Sequence, residues 1–278
     1  MKLNTFLLLA LTICTTLHAG AQTFNVATYN IRYDNPGDTG NLWSDRASAV
    51  SGLIRFHDFD IFGVQEALKN QLDDISTSLP QYARYGKGRD DGKEAGEHAA
   101  IYFKKDKFKL LKSGDFWLSK TPSVPGKGWD AKCCNRICSW TYLEALESGK
   151  KFYVFNVHFD HQGIIARKES GKLMVDKMKE IAGKHPIIFM GDLNGGRDSE
   201  WYQTIANSGI LKDTYHDVQF PYENNSSGNG FKTPQGKTVI DHIFSSAQFK
   251  ASRWGILTDT YFGKFPSDHF PVLTTLSL

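Results

Sequence analysis

A carboxylate and an amide follow a short apolar run in the second half of the chain. Residues 187–190 are all apolar, and Gly191-Asp192-Leu193-Asn194 comes directly after them. Such a run predicts a short strand buried on both faces. Because residues i and i+2 of an extended chain face the same side, Asp192 and Asn194 would point at one spot. Together they can hold a divalent cation, a phosphate oxygen or an activated water, although an Asx turn at a strand end uses the same residue types.

Polar groups of the same kind stand at five other boundaries of predicted apolar strands. They are Asn30, Glu66, His158, Asp241 and the pair Asp268 and His269. Any one of them alone is more often a cap or a satisfied core residue, but six such boundaries with this mix of side chains are hard to explain as caps.

The chemistry that suits this set is the hydrolysis of a phosphate ester. Attack on an anionic phosphate requires the charge on its nonbridging oxygens to be neutralised, which a metal cation and imidazolium groups can do. It also requires a positioned water whose proton has an acceptor, and an aspartate can be that acceptor. No serine or cysteine nucleophile is needed.

Short strands with a few helices between them must position these groups. Helices are predicted from Ser44 onward and over residues 70–79, 165–183 and 200–207. Strands are predicted over residues 24–31, 59–65, 99–103, 108–118, 136–145, 151–159, 187–190, 239–245, 254–257 and 270–276. The sequence contains no internal repeat or interdomain linker. The pattern predicts one α/β domain built on more than one sheet.

The first 21 residues have the layout of a secretion signal. Lys2 precedes an apolar segment at residues 6–13, and small residues at positions 19–21 offer a cleavage site before Gln22. The apolar segment is too short to span a bilayer. We therefore expect export to the periplasm or the extracellular space without stable membrane insertion, with residues 22–278 forming one catalytic domain.

The net charge argues against a duplex-DNA binder, and the cysteine spacing argues against a zinc site. The formal net charge of +3 lacks the strong basic footprint of a committed duplex-DNA binder. Cys133, Cys134 and Cys138 remain after the signal, and their spacing matches no zinc motif. The sequence leaves open one disulfide within this group or free buried thiols.

Taken in order, the motifs resemble those of the endonuclease/exonuclease/phosphatase superfamily, and most closely its deadenylase-like and exported bacterial members. The matching segments are residues 28–32 (Thr-Tyr-Asn-Ile-Arg), 64–66 (Val-Gln-Glu), 156–158 (Asn-Val-His), 191–194 (Gly-Asp-Leu-Asn), 240–243 (Ile-Asp-His-Ile) and 267–272 (Ser-Asp-His-Phe-Pro-Val). This resemblance implies a four-layer α/β sandwich, in which two packed central sheets are flanked by helices and the site lies at one edge of the sheets.

The resemblance also implies a role for each residue. Glu66 would be the principal metal ligand, with Asn30 and Asp268 beside it, and hard oxygen ligands suit Mg²⁺ or Mn²⁺. The remaining implied roles are phosphate contact by His158 and by His269 oriented by Asp241, water activation by Asp192 with Asn194, and substrate contact by Arg32. Apart from the resemblance, Arg136 with Trp129 offers a phosphate and stacking contact for a substrate, and loop packing explains Trp129 equally well.

These observations predict a secreted, Mg²⁺- or Mn²⁺-dependent phosphodiesterase acting on nucleic acid or nucleotides. The alternative within the same fold is a phospholipid or sugar-phosphate hydrolase. An inactive binding domain is the alternative from another class, and the presence of Glu66, His158, Asp192 and His269 argues against it. We expect the protein to be a monomer.

Overall fold

Two six-stranded mixed sheets form the centre of the molecule. The computed structural model describes residues 22–233 and 236–278, so the predicted signal segment lies outside the described residues. Across the first sheet lie Lys250–Ile256 (β11), Val272–Ser277 (β12), Thr23–Asn30 (β1), Ile61–Gln65 (β2), Ile101–Lys104 (β4) and Tyr82–Tyr85 (β3). Across the second lie Phe108–Trp117 (β5), Ile137–Ala145 (β6), Lys151–His158 (β7), Ile187–Asp192 (β8), Asp241–Ser245 (β10) and Lys212–Asp213 (β9).

Helices cover the outer face of each sheet and complete the four-layer sandwich that the resemblance implied. Trp43–Phe56 (α1) and Lys69–Ser78 (α2) pack on the first sheet, and Ile164–Ala182 (α3) and Glu200–Ala206 (α4) on the second. A short 3₁₀ helix, Thr214–Asp217, follows β9. No helix in the described part of the chain has the length and apolar character needed to cross a membrane.

Strand β1 shows why the layers form. Val26 belongs to the apolar cluster between the two sheets, whereas Ala27 and Tyr29 belong to the cluster under α1 and α2. Alternate residues of a strand face opposite sides, so one strand supplies both cores. Burial of each large apolar side chain stabilises the fold by about 1.5–3 kcal/mol.

Strand direction brings the predicted site residues to one edge. β1 and β2 are parallel and place Asn30 opposite Gln65, the residue before Glu66. β7 and β8 are parallel and place His158 opposite Asp192. β10 runs antiparallel to β8 and begins with Asp241, which also lies opposite Asp192. The carboxyl ends of four strands and the start of β10 therefore meet.

A buried amide joins the two sheets beneath this edge. Asn156 Nδ2 donates to the carbonyl oxygens of Val64 and Ala100, both at 2.9 Å, and its Oδ1 accepts from Gln65 Nε2 at 2.7 Å. A Cβ on Gly63 would lie 2.5 Å from Asn156 Cγ, so only glycine fits there. Asn156 of the Asn-Val-His segment thus holds the two sheets in register.

Some predicted boundaries were wrong. The first helix begins at Trp43 with Leu42 as its N-cap, so Ser44 lies in the first turn instead of capping it. Strand β3 was not predicted, because its mixed burial lacks a clear alternation in the sequence. The strand predicted from residue 239 begins at Asp241.

Candidate active site

Three residues at the strand ends have left-handed backbone conformations. The φ angles of Arg32, Glu66 and Asn194 are 56°, 62° and 47°. Glu66 directly follows the last residue of β2, and Arg32 and Asn194 lie two residues after the last residues of β1 and β8. Non-glycine residues rarely adopt positive φ, and such conformations concentrate at functional sites, where surrounding contacts hold them.

The amide of Asn30 connects two carboxylates from different sheets. Its Nδ2 donates to Glu66 Oε1 at 3.0 Å and to Asp192 Oδ2 at 3.1 Å, while its Oδ1 accepts from the backbone N–H of Arg32 at 3.0 Å. The backbone N–H of Tyr33 donates to Glu66 Oε2 at 3.3 Å. Asn30 is fully buried, so these contacts fix where Glu66 and Asp192 stand relative to each other.

His269 lies between two carboxylates. Its Nδ1 is 2.9 Å from Asp241 Oδ2, and its Nε2 is 3.9 Å from Asp192 Oδ2. Burial by itself lowers the pKa of His269, but the neighbouring carboxylates, Asp241 first, outweigh it and raise the pKa well above its usual value. At neutral pH this ring is an imidazolium, whose Nε2–H is available to an anionic group in the site.

Asp192 is suited to proton transfer near neutral pH. Burial, and then the charge of Asp241, raise its pKa to about 7, against the opposing effects of His269 and of hydrogen bonds from Asn194 and Asn30. The backbone N–H of Asn194 donates to Asp192 Oδ1 at 2.8 Å. A carboxylate whose pKa is near the working pH can take a proton from water efficiently.

His158 differs from His269 in charge. Asn194 Nδ2 donates to the carbonyl of Phe159 at 3.0 Å and lies 3.1 Å from His158 Nε2, which therefore accepts. Burial, and then the charges of Arg136 and Arg89, lower the pKa of His158 well below its usual value. His158 is thus neutral, and one of the two predicted phosphate-contacting histidines supplies no positive charge.

Arg32 lies among several carboxylate side chains, on the side of the site formed by the first sheet. Its Nε and Nη2 bind Asp38 at 2.8 and 3.0 Å, and the guanidinium is also 3.8 Å from both Glu66 and Asp268. Burial, and the nearby charge of Glu66, raise the pKa of Asp268. Three carboxylates, those of Asp38, Glu66 and Asp268, therefore lie within 4 Å of the Arg32 guanidinium.

The predicted ligands Asn30, Glu66 and Asp268 fit a hard divalent cation. They offer only oxygen ligands, and a bound cation would offset the repulsion between the Glu66 and Asp268 carboxylates, each 3.8 Å from the Arg32 guanidinium. Ligand atoms of Asp192, Asp241 and His269 also lie within 4.8 Å of one another. That group fits a metal less well, because an imidazolium has no lone pair to donate.

The site opens into a cleft of about 410 Å³. Its lining contains residues at the strand ends and residues from three loops, namely Arg32, Tyr33, Glu66, Arg89, Glu97, Cys134, Arg136, His158, His161, Asp192, Asn194 and His269. Asp241 and Asp268 do not line the cleft. Each of them lies next to His269, which does line it.

Arg136 lies in this cleft, where sequence reasoning placed a substrate contact. It is 4% exposed, and its Nη2 donates to His161 Nδ1 at 2.7 Å. Its Nε lies 3.5 Å from Asp160 Oδ2 in a buried ion pair, whereas its Nη1 is buried without a hydrogen-bond partner among the described residues. Buried donors without partners are rare in folded proteins, so Nη1 points to a bound group.

Arg89 and Glu97 are cleft residues that the sequence did not reveal. Arg89 Nη1 binds Glu97 Oε2 at 2.6 Å. Both belong to a polar loop that resembles an ordinary solvated surface segment. The only sequence signal was the high density of charge between residues 89 and 97.

The structure has one disulfide among the three cysteines, which is the first of the two arrangements that the sequence leaves open. Cys133 and Cys134 are joined by a disulfide, and Cys138 is a free, buried thiol. Burial raises the pKa of Cys138 well above its usual value, so this thiol is unreactive.

The fold, the paired carboxylates and histidines, and the oxygen ligands define a metal-dependent phosphoester hydrolase. The chain belongs to the Endonuclease/Exonuclease/phosphatase family, whose model matches residues 27–269. The predicted superfamily and enzyme class are thereby confirmed.

Two solved structures from Bacteroides thetaiotaomicron are similar over nearly the whole chain. An endonuclease/exonuclease/phosphatase family protein is 42% identical with a TM-score of 0.90, covering 93% of this chain and 96% of that chain. A mannosyl-6-phosphatase is 42% identical with a TM-score of 0.89, covering 92% of this chain and 100% of that chain. Uncharacterized protein R895 of Acanthamoeba polyphaga mimivirus is 25% identical over 72% of this chain, which spans 35% of that protein's length.

Proposed function

We propose that this protein is an Mg²⁺- or Mn²⁺-dependent phosphatase whose substrate is a sugar phosphate. The observation that carries the proposal is the polar lining of the cleft. Arg89, Glu97, Arg136 and His161 offer hydrogen-bond donors and acceptors of the kind that hydroxyl groups require. The similarity to a mannosyl-6-phosphatase over all of that chain supports the same substrate class.

The cleft offers little to a nucleobase. Tyr33 is the one phenol or indole ring in its lining, and the Arg32 guanidinium lies 4.6 Å from the centre of that ring. Single-stranded nucleic acid and nucleotides are commonly bound by stacking on accessible aromatic faces. These contacts favour the sugar-phosphate alternative over the nucleic-acid substrate that sequence reasoning ranked first.

In the proposed mechanism, the charge of each site residue determines its role. Bound at Asn30, Glu66 and Asp268, the metal ion would neutralise charge on the phosphate. The His269 imidazolium donates to a nonbridging oxygen, and Asp241 keeps this ring charged and oriented. Asp192 accepts the proton of the attacking water, and Asn194 fixes Asp192 through its backbone N–H.

The leaving group completes the reaction. As the water oxygen bonds to phosphorus, the bond from phosphorus to the sugar oxygen breaks on the opposite side, and that oxygen takes a proton from solvent in the open cleft while Asp192 returns its proton to solvent. The products are inorganic phosphate and the free sugar. The unpartnered Nη1–H of Arg136 would bind the phosphate or an adjacent sugar hydroxyl.

A substrate panel tests the proposal. Purified residues 22–278 with Mg²⁺ or Mn²⁺ would be assayed on mannose 6-phosphate, glucose 6-phosphate, mono- and bis-p-nitrophenyl phosphate, plasmid DNA, RNA and phospholipid vesicles. We expect kcat/KM for a sugar phosphate to exceed that for any diester by at least about 10²-fold, near the upper end of what contacts to one part of a substrate provide. Faster hydrolysis of bis-p-nitrophenyl phosphate, RNA or DNA would contradict the proposal.

We further propose that the protein is exported through residues 1–21 and acts as a monomer. A fusion of these residues to a reporter enzyme would show export by its recovery outside the cytoplasm, and light scattering would report the mass. Retention of the fusion in the cytoplasm, or a stable dimer, would contradict the respective proposal.

A further inference from the structure

A tryptophan outside the cleft is bonded to the loop that carries two site residues. Trp201 Nε1, at the start of α4, donates to the carbonyl oxygen of Leu193 at 2.9 Å. Leu193 is fully buried and lies between Asp192 and Asn194. A Cβ on Gly195 would lie 2.3 Å from the indole, so the loop packs directly on this ring.

An arginine connects the same indole to the loop that follows His158. The Arg167 guanidinium, on α3, lies 4.6 Å from the centre of the Trp201 ring. Its Nη1 donates to the carbonyl oxygen of Asp160 at 2.9 Å. Asp160 is two residues beyond His158, and its Oδ1 accepts from the backbone N–H groups of Gln162 and Gly163. Arg167 therefore binds a loop with its own ordered turn.

We propose that Arg167 and Trp201 form a positioning pair that fixes the distance between the two catalytic loops. Three contacts already join the loops: Asn194 Nδ2 lies 3.1 Å from His158 Nε2 and donates to the Phe159 carbonyl at 3.0 Å, and Phe159 N donates to the Asp192 carbonyl at 2.9 Å. The pair links the two loops a second time, because Arg167 on α3 and Trp201 on α4 contact each other and each binds one loop. It acts on the reaction only through the placement of Asp192 and Asn194.

The chemistry of the contacts explains why these residue types are needed. An indole supplies one N–H and a flat face, and a guanidinium stacks on that face while it donates in its own plane. Phenylalanine at position 201 would keep most of the packing but leave the buried Leu193 carbonyl without its donor. Small errors in the placement of reacting groups reduce turnover strongly, whereas substrate affinity depends on other contacts.

The test compares two Trp→Phe variants. Trp254 is the matched control, because it is 2% exposed and its Nε1 has no hydrogen-bond partner among the described residues. We expect Trp201→Phe to lower kcat about tenfold with KM changed less than twofold, and Trp254→Phe to leave both unchanged. Equal kcat values for the two variants, or a change confined to KM, would overturn the proposal.

A double-mutant cycle with Arg167→Lys, which keeps the charge and removes the planar stack, tests the pair itself. We expect the double variant to lose less than the product of the two single losses. Independent, multiplicative losses would overturn the pairing even if each single variant is impaired. The Arg167→Lys variant also provides the kcat measurement should Trp201→Phe fail to fold.

The inference rests on phosphoester hydrolysis and not on the identity of the sugar. Turnover can be followed with whichever ester of the substrate panel is hydrolysed fastest. Failure of the sugar-phosphate proposal would therefore leave this experiment fully informative.

Discussion

Replacement of Asp241 by asparagine tests the electrostatic part of the proposed mechanism. The substitution keeps the shape of the side chain and a hydrogen bond to His269 Nδ1 but removes the carboxylate charge 2.9 Å away. At an effective dielectric constant of about 20, a charge pair at this distance interacts by about 6 kcal/mol. Asp192, at 3.9 Å from Nε2, would continue to favour the imidazolium in part.

We therefore expect a loss close to that of one preorganised electrostatic contact. Removal of such a contact typically reduces kcat by about 10²–10³-fold. We predict a loss of roughly 10²-fold or more in Asp241→Asn, measured as phosphate release under saturating substrate and metal. A melting temperature close to that of the wild type would show that the fold is intact.

The pH profile gives a second readout with a defined sign. Activity requires Asp192 deprotonated, above its pKa of about 7, and His269 protonated, below its raised pKa. The charge of Asp241 raises both pKa values, so its removal lowers both. The acid limb and the alkaline limb should each move to lower pH.

Asp60 provides the control for loss of a buried carboxylate. It is 3% exposed, precedes β2 at the end remote from Glu66, and accepts from Lys104 and Lys107. Asp60→Asn should lose stability while keeping kcat and the pH profile. A near-native rate and an unshifted profile in Asp241→Asn would refute the reasoning and leave Asp241 as a structural support.

Three further predictions concern the metal, the substrate and the sheet contact. Chelation should abolish hydrolysis, and Mg²⁺ or Mn²⁺ should restore it; full activity in chelator would refute the metal assignment. Glu66→Gln should be inactive with an unchanged melting temperature, whereas the control Asp176→Asn, on the exposed face of α3, should behave like the wild type. Arg136→Met should raise KM for the preferred substrate about tenfold or more, the scale of one lost charged hydrogen bond, and an unchanged KM would remove Arg136 from substrate binding. Asn156→Ala should lower the free energy of unfolding by about 2–5 kcal/mol, because two buried carbonyls lose their donor; a loss under 1 kcal/mol in urea denaturation would contradict that role.

Local patterns in the sequence were sufficient to predict which polar side chains would meet at one edge of the sheets. Short apolar runs define buried strands, and polar residues at their ends are visible without any tertiary information. Asn30, Glu66, Asp192, Asp241 and His269 were selected in this way, and the structure brings all of them together. The order of the motifs predicted the four-layer fold correctly, since strand order and direction follow from the family topology.

Packing determined features that no local pattern carries. Arg89 and Glu97 line the cleft because their loop folds back over it, and residues 89–97 differ little from an ordinary surface segment. Trp201 and Arg167 occupy helical positions that resemble common surface and packing sites. Their contacts with the Leu193 and Asp160 carbonyls join segments that are not adjacent in sequence.

Protonation states depend on tertiary structure most strongly. His158 and His269 are the same residue type at similar strand boundaries, yet one is neutral and the other charged. His158 is buried near Arg136 and Arg89, whereas His269 lies between Asp241 and Asp192. The sequence by itself determined which side chains are present at the strand ends, but a pKa is set by burial and by charges a few ångströms away. Those neighbours come from distant parts of the chain, so only the folded structure decides them.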